Sequence, residues 1–430
     1  MKTINKLKSV ISILIIFISL SCSKDDAPPS PNNPNNTVNQ SPGNFNLLYP
    51  ADGDVDTPLV PEFGWSASTD PDGDTVSYEM FLDNTADPSE LQATTSKTET
   101  SNITTLEYAT SYNWKVIASD GNGGSKESTI FGFTTKEFEN PVPANGPSNL
   151  SVRFGHSSVV FKDKMWVIGG NGGSATMLLN DVWSGEDGIT WGQSAANAPF
   201  QERWLHTSVV FDDKIWVIGG NSAGTNNHND VWYSEDGAEW KNATMNAAFT
   251  PRYAHTSVVF DGKMWVIGGY DSTNSLNDVW YSDNGVDWFE VGNTPKFTPR
   301  YNHTSVVFNN KVWVMGGRYN SSEGLQDIWF SEDGVDWQLV TDEPDFGPLY
   351  YHAATVKDNL MWITGGFNGT SNVGDIWYSS NGINWKKAPV DADQSFSVRR
   401  LHTSLSYRDD ITVTAGQTGN VELADTWFFE

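Results

Sequence analysis

Short alternations of apolar and polar residues, broken by Gly, Asn and Asp, run through most of this chain and predict strands joined by tight turns. From residue 150 onward the pattern repeats. His156, His206, His255, His303, His352 and His402 recur at intervals of 48–50 residues. Thirteen residues after each of the first five stands a Gly-Gly pair, beginning at Gly169, Gly219, Gly268, Gly316 and Gly365; the sixth copy has Ala415 before Gly416. An Asp two residues ahead of a Trp follows in every copy, from Asp181/Trp183 to Asp425/Trp427. Five copies then carry an Asp-Gly or Asn-Gly turn and a further Trp, at 191, 240, 288, 337 and 385.

Each copy reads as four strands. In the second, these are 207–211, 214–218, 230–234 and a strand starting near Trp240, with the glycine turns supplying the positive φ that a tight hairpin needs. One such sheet has two apolar faces and cannot bury both alone. The copies must therefore stack on one another, and a closed ring leaves no long raw edge. The sixteen Trp on the second, third and fourth strands are expected as core between sheets. Copy six ends at Glu430 after its third strand, so earlier sequence must supply a fourth. Lys136, Glu137, Phe138, Glu139 and Asn140 stand at the right place, with Phe138 where the other copies have Trp.

Arg-x-x-His, Gly-Gly, Asn-Asp-Val-Trp and the closing Trp together resemble the kelch family, over residues 150–430. That resemblance implies an all-β, six-bladed kelch β-propeller at 136–430. It leaves function open, because kelch propellers include binding modules, enzymes and interaction scaffolds. Residues 44–135 predict a small β-sandwich ahead of it: Trp65, Tyr112-x-Trp114 and Phe133 resemble fibronectin type III and related Ig-like modules, which usually act as spacers. Asp70, Asp72 and Asp74 read as a turn, with calcium chelation the alternative.

The first 21 residues join Lys2, Lys6 and Lys8 to a short apolar run, the form of a secretory signal. Ser19, Leu20, Ser21 and Cys22 resemble a lipoprotein-processing box, which makes Cys22, the single cysteine, a lipid anchor. Residues 22–43, rich in Pro, Asn and Ser, read as a flexible tether. The expectation is a monomer anchored in the outer membrane and exposed on the cell surface; ordinary secretion is the alternative. A formal net charge of −27 argues against nucleic acid as a partner. With one cysteine there is no disulfide and no cysteine-built metal site, and no metal or cofactor is expected.

Candidate chemistry falls on the face carrying the longer, variable loops. Two residues before each His stand Phe154, Trp204, Tyr253, Tyr301, Tyr350 and Arg400; after each Gly-Gly stand Asn171, Asn221, Tyr270, Arg318, Phe367 and Gln417. In kelch ligand-recognition domains, contacts commonly come from these two positions. Aromatic rings beside amides and arginines suit a poly- or oligosaccharide, and Arg318 and Arg400 point to an anionic one. The alternative is a set of rings that merely plugs the channel mouth. A second function class is a carbohydrate-active enzyme that moves a proton, with His228, Tyr253, Tyr301, Tyr350 and Arg318 as candidates. A third is a protein-interaction scaffold. His228, assigned to a loop, reads either as a general base or as a solvated histidine. The six repeat histidines read as structural hydrogen-bonding groups and the repeat arginines as ties between blades.

Overall fold

The computed structural model describes residues 38–101, 103–173, 177–224, 226–292, 297–320, 323–391 and 396–429; the expected secretory signal and Cys22 lie outside them. Among these residues the repeats form six four-stranded antiparallel sheets, the blades of a propeller. In the second blade Thr207–Phe211, Lys214–Asn221, Asn227–Ser234 and Lys241–Thr244 pair in chain order. The first strands of successive blades are neighbours all the way round, the sixth next to the first. Trp166, Trp216, Trp265, Trp313 and Trp362 on second strands, and the five closing Trp, are buried between blades. The third-strand Trp are partly buried, and Trp183 and Trp232 give their indole N–H to the Asp two residues earlier.

Closure is enforced near the axis. Leu205 N–H donates to Gly155 C=O (2.7 Å), Ala254 to Leu205, Asn302 to Ala254, Tyr351 to Asn302, Leu401 to Tyr351, and Gly155 back to Leu401 (2.9 Å). All six residues of this hydrogen-bonded ring have φ between 51° and 60°, and five are not glycine. Such a conformation persists only where surrounding structure over-determines it, which six simultaneous inter-blade bonds do.

Each repeat arginine serves two blades. Arg203 bonds blade one through its backbone, donating N–H to Leu179 C=O and accepting from Gly170 N–H. Its fully buried guanidinium donates to Gly219 C=O and to both carboxylate oxygens of Asp230 in blade two, at 2.7 and 2.8 Å. Arg153, Arg252, Arg300 and Arg399 make the same kind of link. In blade five Leu349 keeps the backbone bonds, buries its apolar side chain, and leaves Asp375 to Lys387 (2.8 Å). Each repeat His directs Nε2 to a hydroxyl of the preceding blade, from His206 with Ser157 Oγ (2.8 Å) to His402 with Thr364 Oγ1 (3.0 Å).

N-terminal sequence does complete blade six, but the strand is Val142–Pro143, paired with Phe428 and Trp427, rather than 136–140. Register explains the shift. Trp427 opposes Pro143 as Trp183 opposes Gln193, so Pro141 takes the place that Trp191 holds in blade one. Phe138 still fills the space between blades five and six, packed with Leu360, Trp362 and Phe429.

Ahead of the ring, a three-stranded sheet (Leu47–Tyr49, Phe63–Trp65, Glu99–Thr100) packs on a six-stranded one that includes Ser77–Asp83, Ser111–Ser119 and Phe131–Thr135. Phe63, Trp65, Met80, Trp114 and Val116 form the dry core of this sandwich. Asp70 caps a turn by accepting from Asp72 N–H (2.8 Å), while Asp72 and Asp74 accept from Gln40 and Asn122. The sandwich is fastened to blade five. Leu59 and Tyr108 pack with Tyr378, Thr105 Oγ1 lies 2.6 Å from Ser380 Oγ, and Lys386 pairs with Glu107 at 2.8 Å.

Candidate functional site

The two variable positions of each repeat are cross-strand partners: Phe154 with Asn171, Trp204 with Asn221, Tyr253 with Tyr270, Tyr301 with Arg318, Tyr350 with Phe367, and Arg400 with Gln417. The Gly-Gly pair makes this pairing possible. Gly219 and Gly220 have φ of 58° and 103°, and a Cβ on Gly220 would meet His206 Cβ at 2.7 Å. The second position needs glycine to let the strand pass the His and meet the residue two before it, whereas the first needs only positive φ, which Ala415 adopts in blade six at 56°. Six pairs therefore ring one mouth of the propeller.

The ring is lopsided. On the side of blades six, one, two and three lies a cavity of about 370 Å³, lined by Phe154, Trp204 and Tyr253 and by Asn171, Asn221, Gln417 and Glu422. Phe154 and Trp204 meet edge to face at 5.8 Å, and Trp204 Nε1 donates to Asn221 Oδ1 (3.2 Å), which holds the indole in place. All three rings are partly exposed.

The remaining candidates form a second arc in which ring faces are already covered. Tyr270 lies 4.9 Å from Tyr301, and Arg318 sits over both Tyr301 (5.3 Å) and Tyr350 (5.0 Å). Tyr350 contacts Phe367 at 5.3 Å, and Arg400 sits over Phe367 and Tyr351 while donating to Gln417 Oε1. Tyr301 is buried and its hydroxyl donates to Asn320 C=O (2.9 Å). The expected rim thus splits: Phe154, Trp204 and Tyr253 line open space, with Tyr253 also edge to face with Tyr270 at 5.6 Å, whereas Tyr270, Tyr301, Arg318, Tyr350, Phe367 and Arg400 stack on one another.

The candidates for proton transfer are not activated. Burial pushes the phenols of Tyr253 and Tyr350 upward and that of Tyr301 up to about 12, making each a weaker source of phenolate at neutral pH. His228 lies in the strand Asn227–Ser234 and not in a loop, because after the register shift at Gly219 the ladder resumes with Gly220 opposite His228. Its Nε2 is bonded to Ser222 Oγ; burial, and then the charge of Arg203, hold its pKa below the usual imidazole range. It does not line the cavity. The repeat histidines border a narrower axial space of about 110 Å³ behind the hydrogen-bonded ring.

One lining residue escaped the sequence reading. Glu422 sits opposite Gln417 in the hairpin between the second and third strands of blade six. The visible signal was that hairpin's shortness: a residue so close to a pairing position must lie at the mouth.

Comparison with known families places kelch repeats in the propeller. Residues 288–430 match the KLHDC2/KLHL20/DRC7 Kelch-repeats domain, and residues 251–281 match the Kelch motif. No curated protein matches the chain. From residue 251 to the C-terminus, the six-bladed propeller carries kelch-repeat matches, consistent with a kelch-repeat family.

Proposed function

We propose that the loop face of the propeller binds a poly- or oligosaccharide, in a glycan-utilisation system, as a monomeric outer-membrane lipoprotein displayed at the cell surface through Cys22. The observation that carries this reading is the cavity itself. Phe154, Trp204 and Tyr253 offer ring surface to the C–H face of a sugar, and Asn171, Asn221 and Gln417 offer donors and acceptors for hydroxyls. An acidic glycan, the expectation built on Arg318 and Arg400, would have to extend past Gln417, to which Arg400 donates, and on along the second arc to Arg318. The match to kelch repeats favours a second reading, a protein-interaction scaffold with the same face as its docking surface. Catalysis draws less support, since neither the raised phenols nor His228 supplies a base at the cavity.

The deciding experiment is to pass the purified chain over a glycan library and record both retention and new products. Trp204→Ala should weaken retention by about 1–2 kcal/mol with the fold intact, the size of a lost stacking surface. Retention of no glycan, alongside capture of a protein partner that Trp204→Ala weakens, would instead establish the scaffold.

A further inference from the structure

We infer that the saccharide in the cavity carries a protonated amine, with Glu422 as its counter-charge. This rests on the glycan reading above. Among the described residues that line the cavity, Glu422 is the one with a formal charge; no Lys or Arg joins it. Its side chain crosses from blade six to blade one. A Cβ on Gly173 would stand 3.3 Å from Glu422 Cδ and 3.4 Å from Oε2, so a residue without a side chain leaves room for the carboxylate. Gly173 also has φ of +112°, a conformation that glycine alone adopts without strain.

Three rings and one carboxylate around a single cavity form a cation-binding set: the faces of Trp, Tyr and Phe attract positive charge, and a carboxylate accepts N–H bonds from an ammonium. The two arginines that would favour the opposite sign are held over Tyr301, Tyr350, Tyr351 and Phe367. A uronate or sulfate seated here would face Glu422, a like-charge contact, and the guanidinium of Arg400 is already committed to Gln417 Oε1 and to the rings of Phe367 and Tyr351. Over longer distances the net charge of −27 draws a cationic chain in and repels an anionic one. The amides Asn171, Asn221 and Gln417 remain for the hydroxyls of the same sugar.

The test is calorimetric titration of the full chain with β-1,4-linked glucosamine oligomers and with their N-acetylated counterparts, at a pH low enough to protonate a large share of the free amines and still above the acid unfolding transition, which thermal melting at that pH locates. The parent should bind the free-amine series about tenfold more tightly, the size of one charge-assisted contact. Glu422→Gln should erase that preference, and thermal melting should show the variant folded. Raising the salt concentration should weaken the free-amine series selectively. Equal binding of the two series, no binding of the free-amine series, or a preference that survives Glu422→Gln would overturn the inference. Binding of a neutral glycan that still depends on Trp204 would leave the saccharide reading standing without it.

Discussion

Acidification should unfold this propeller steeply, and the repeat histidines set the slope. All six imidazoles are buried, each with Nε2 on a hydroxyl. Burial holds His156, His255 and His352 at a pKa of about 3, and His206, His303 and His402 well below the usual value as well. In the unfolded chain the same groups titrate near 6.5. Between those values the unfolded state binds more protons than the folded one, so stability falls as pH is lowered and is fully regained above about 6.5. One proton of difference is worth about 1.4 kcal/mol per pH unit, so six give a slope of about 8 kcal/mol per unit. Against an ordinary stability of about 5–15 kcal/mol, unfolding should come within roughly one to two units below 6.5. Thermal or urea unfolding followed by tryptophan fluorescence, at pH steps from about 8 to about 5, measures the slope. His402→Gln, which keeps a polar partner for Thr364 but cannot titrate, should reduce it by about 1.4 kcal/mol per unit. Constant stability from about pH 6.5 to 5, or an unchanged slope in the variant, would refute the reasoning.

Two further changes test how the ring is held. Asp230→Ala strands the fully buried guanidinium of Arg203 and should cost about 3–5 kcal/mol in urea unfolding, whereas Arg203→Leu with Asp230→Asn should cost less, as the natural Leu349 in blade five implies. A single-variant loss below about 1 kcal/mol would mean the pair is not structural. Phe138→Ala should cost about 3–5 kcal/mol by hollowing the packing between blades five and six, read as a lowered Tm with glycan binding unaffected below the transition. An unchanged Tm would remove Phe138 from the closure.

The blade count, the four-strand rhythm and the inter-blade tryptophans could be read from the chain because they repeat: a copy that buries two faces needs neighbours on both sides, whatever its detail. The two variable positions flanking each His and each Gly-Gly were legible as one rim for the same reason, and the structure pairs them residue by residue. Where the repeat lapses, sequence reading slips. The closing strand sits at Val142–Pro143 because ladder register with Trp427 decides it, and Phe138 marks only the packing position. His228 joins a strand because the Gly-Gly bulge resets the ladder, a geometric event that a loop assignment misses. The rim's function was the least legible part. Which rings stay open depends on distances between blades: Arg318 and Arg400 are long enough to lie over the rings of neighbouring blades and close one arc, while Phe154, Trp204 and Tyr253 meet other rings only edge to face and line the cavity. Glu422 reaches the cavity beside Gly173, some 250 positions earlier in the chain, whose missing side chain leaves it room across the seam where the ring closes. A linear pattern records neighbours within a blade; contacts across that seam exist only once the ring has formed.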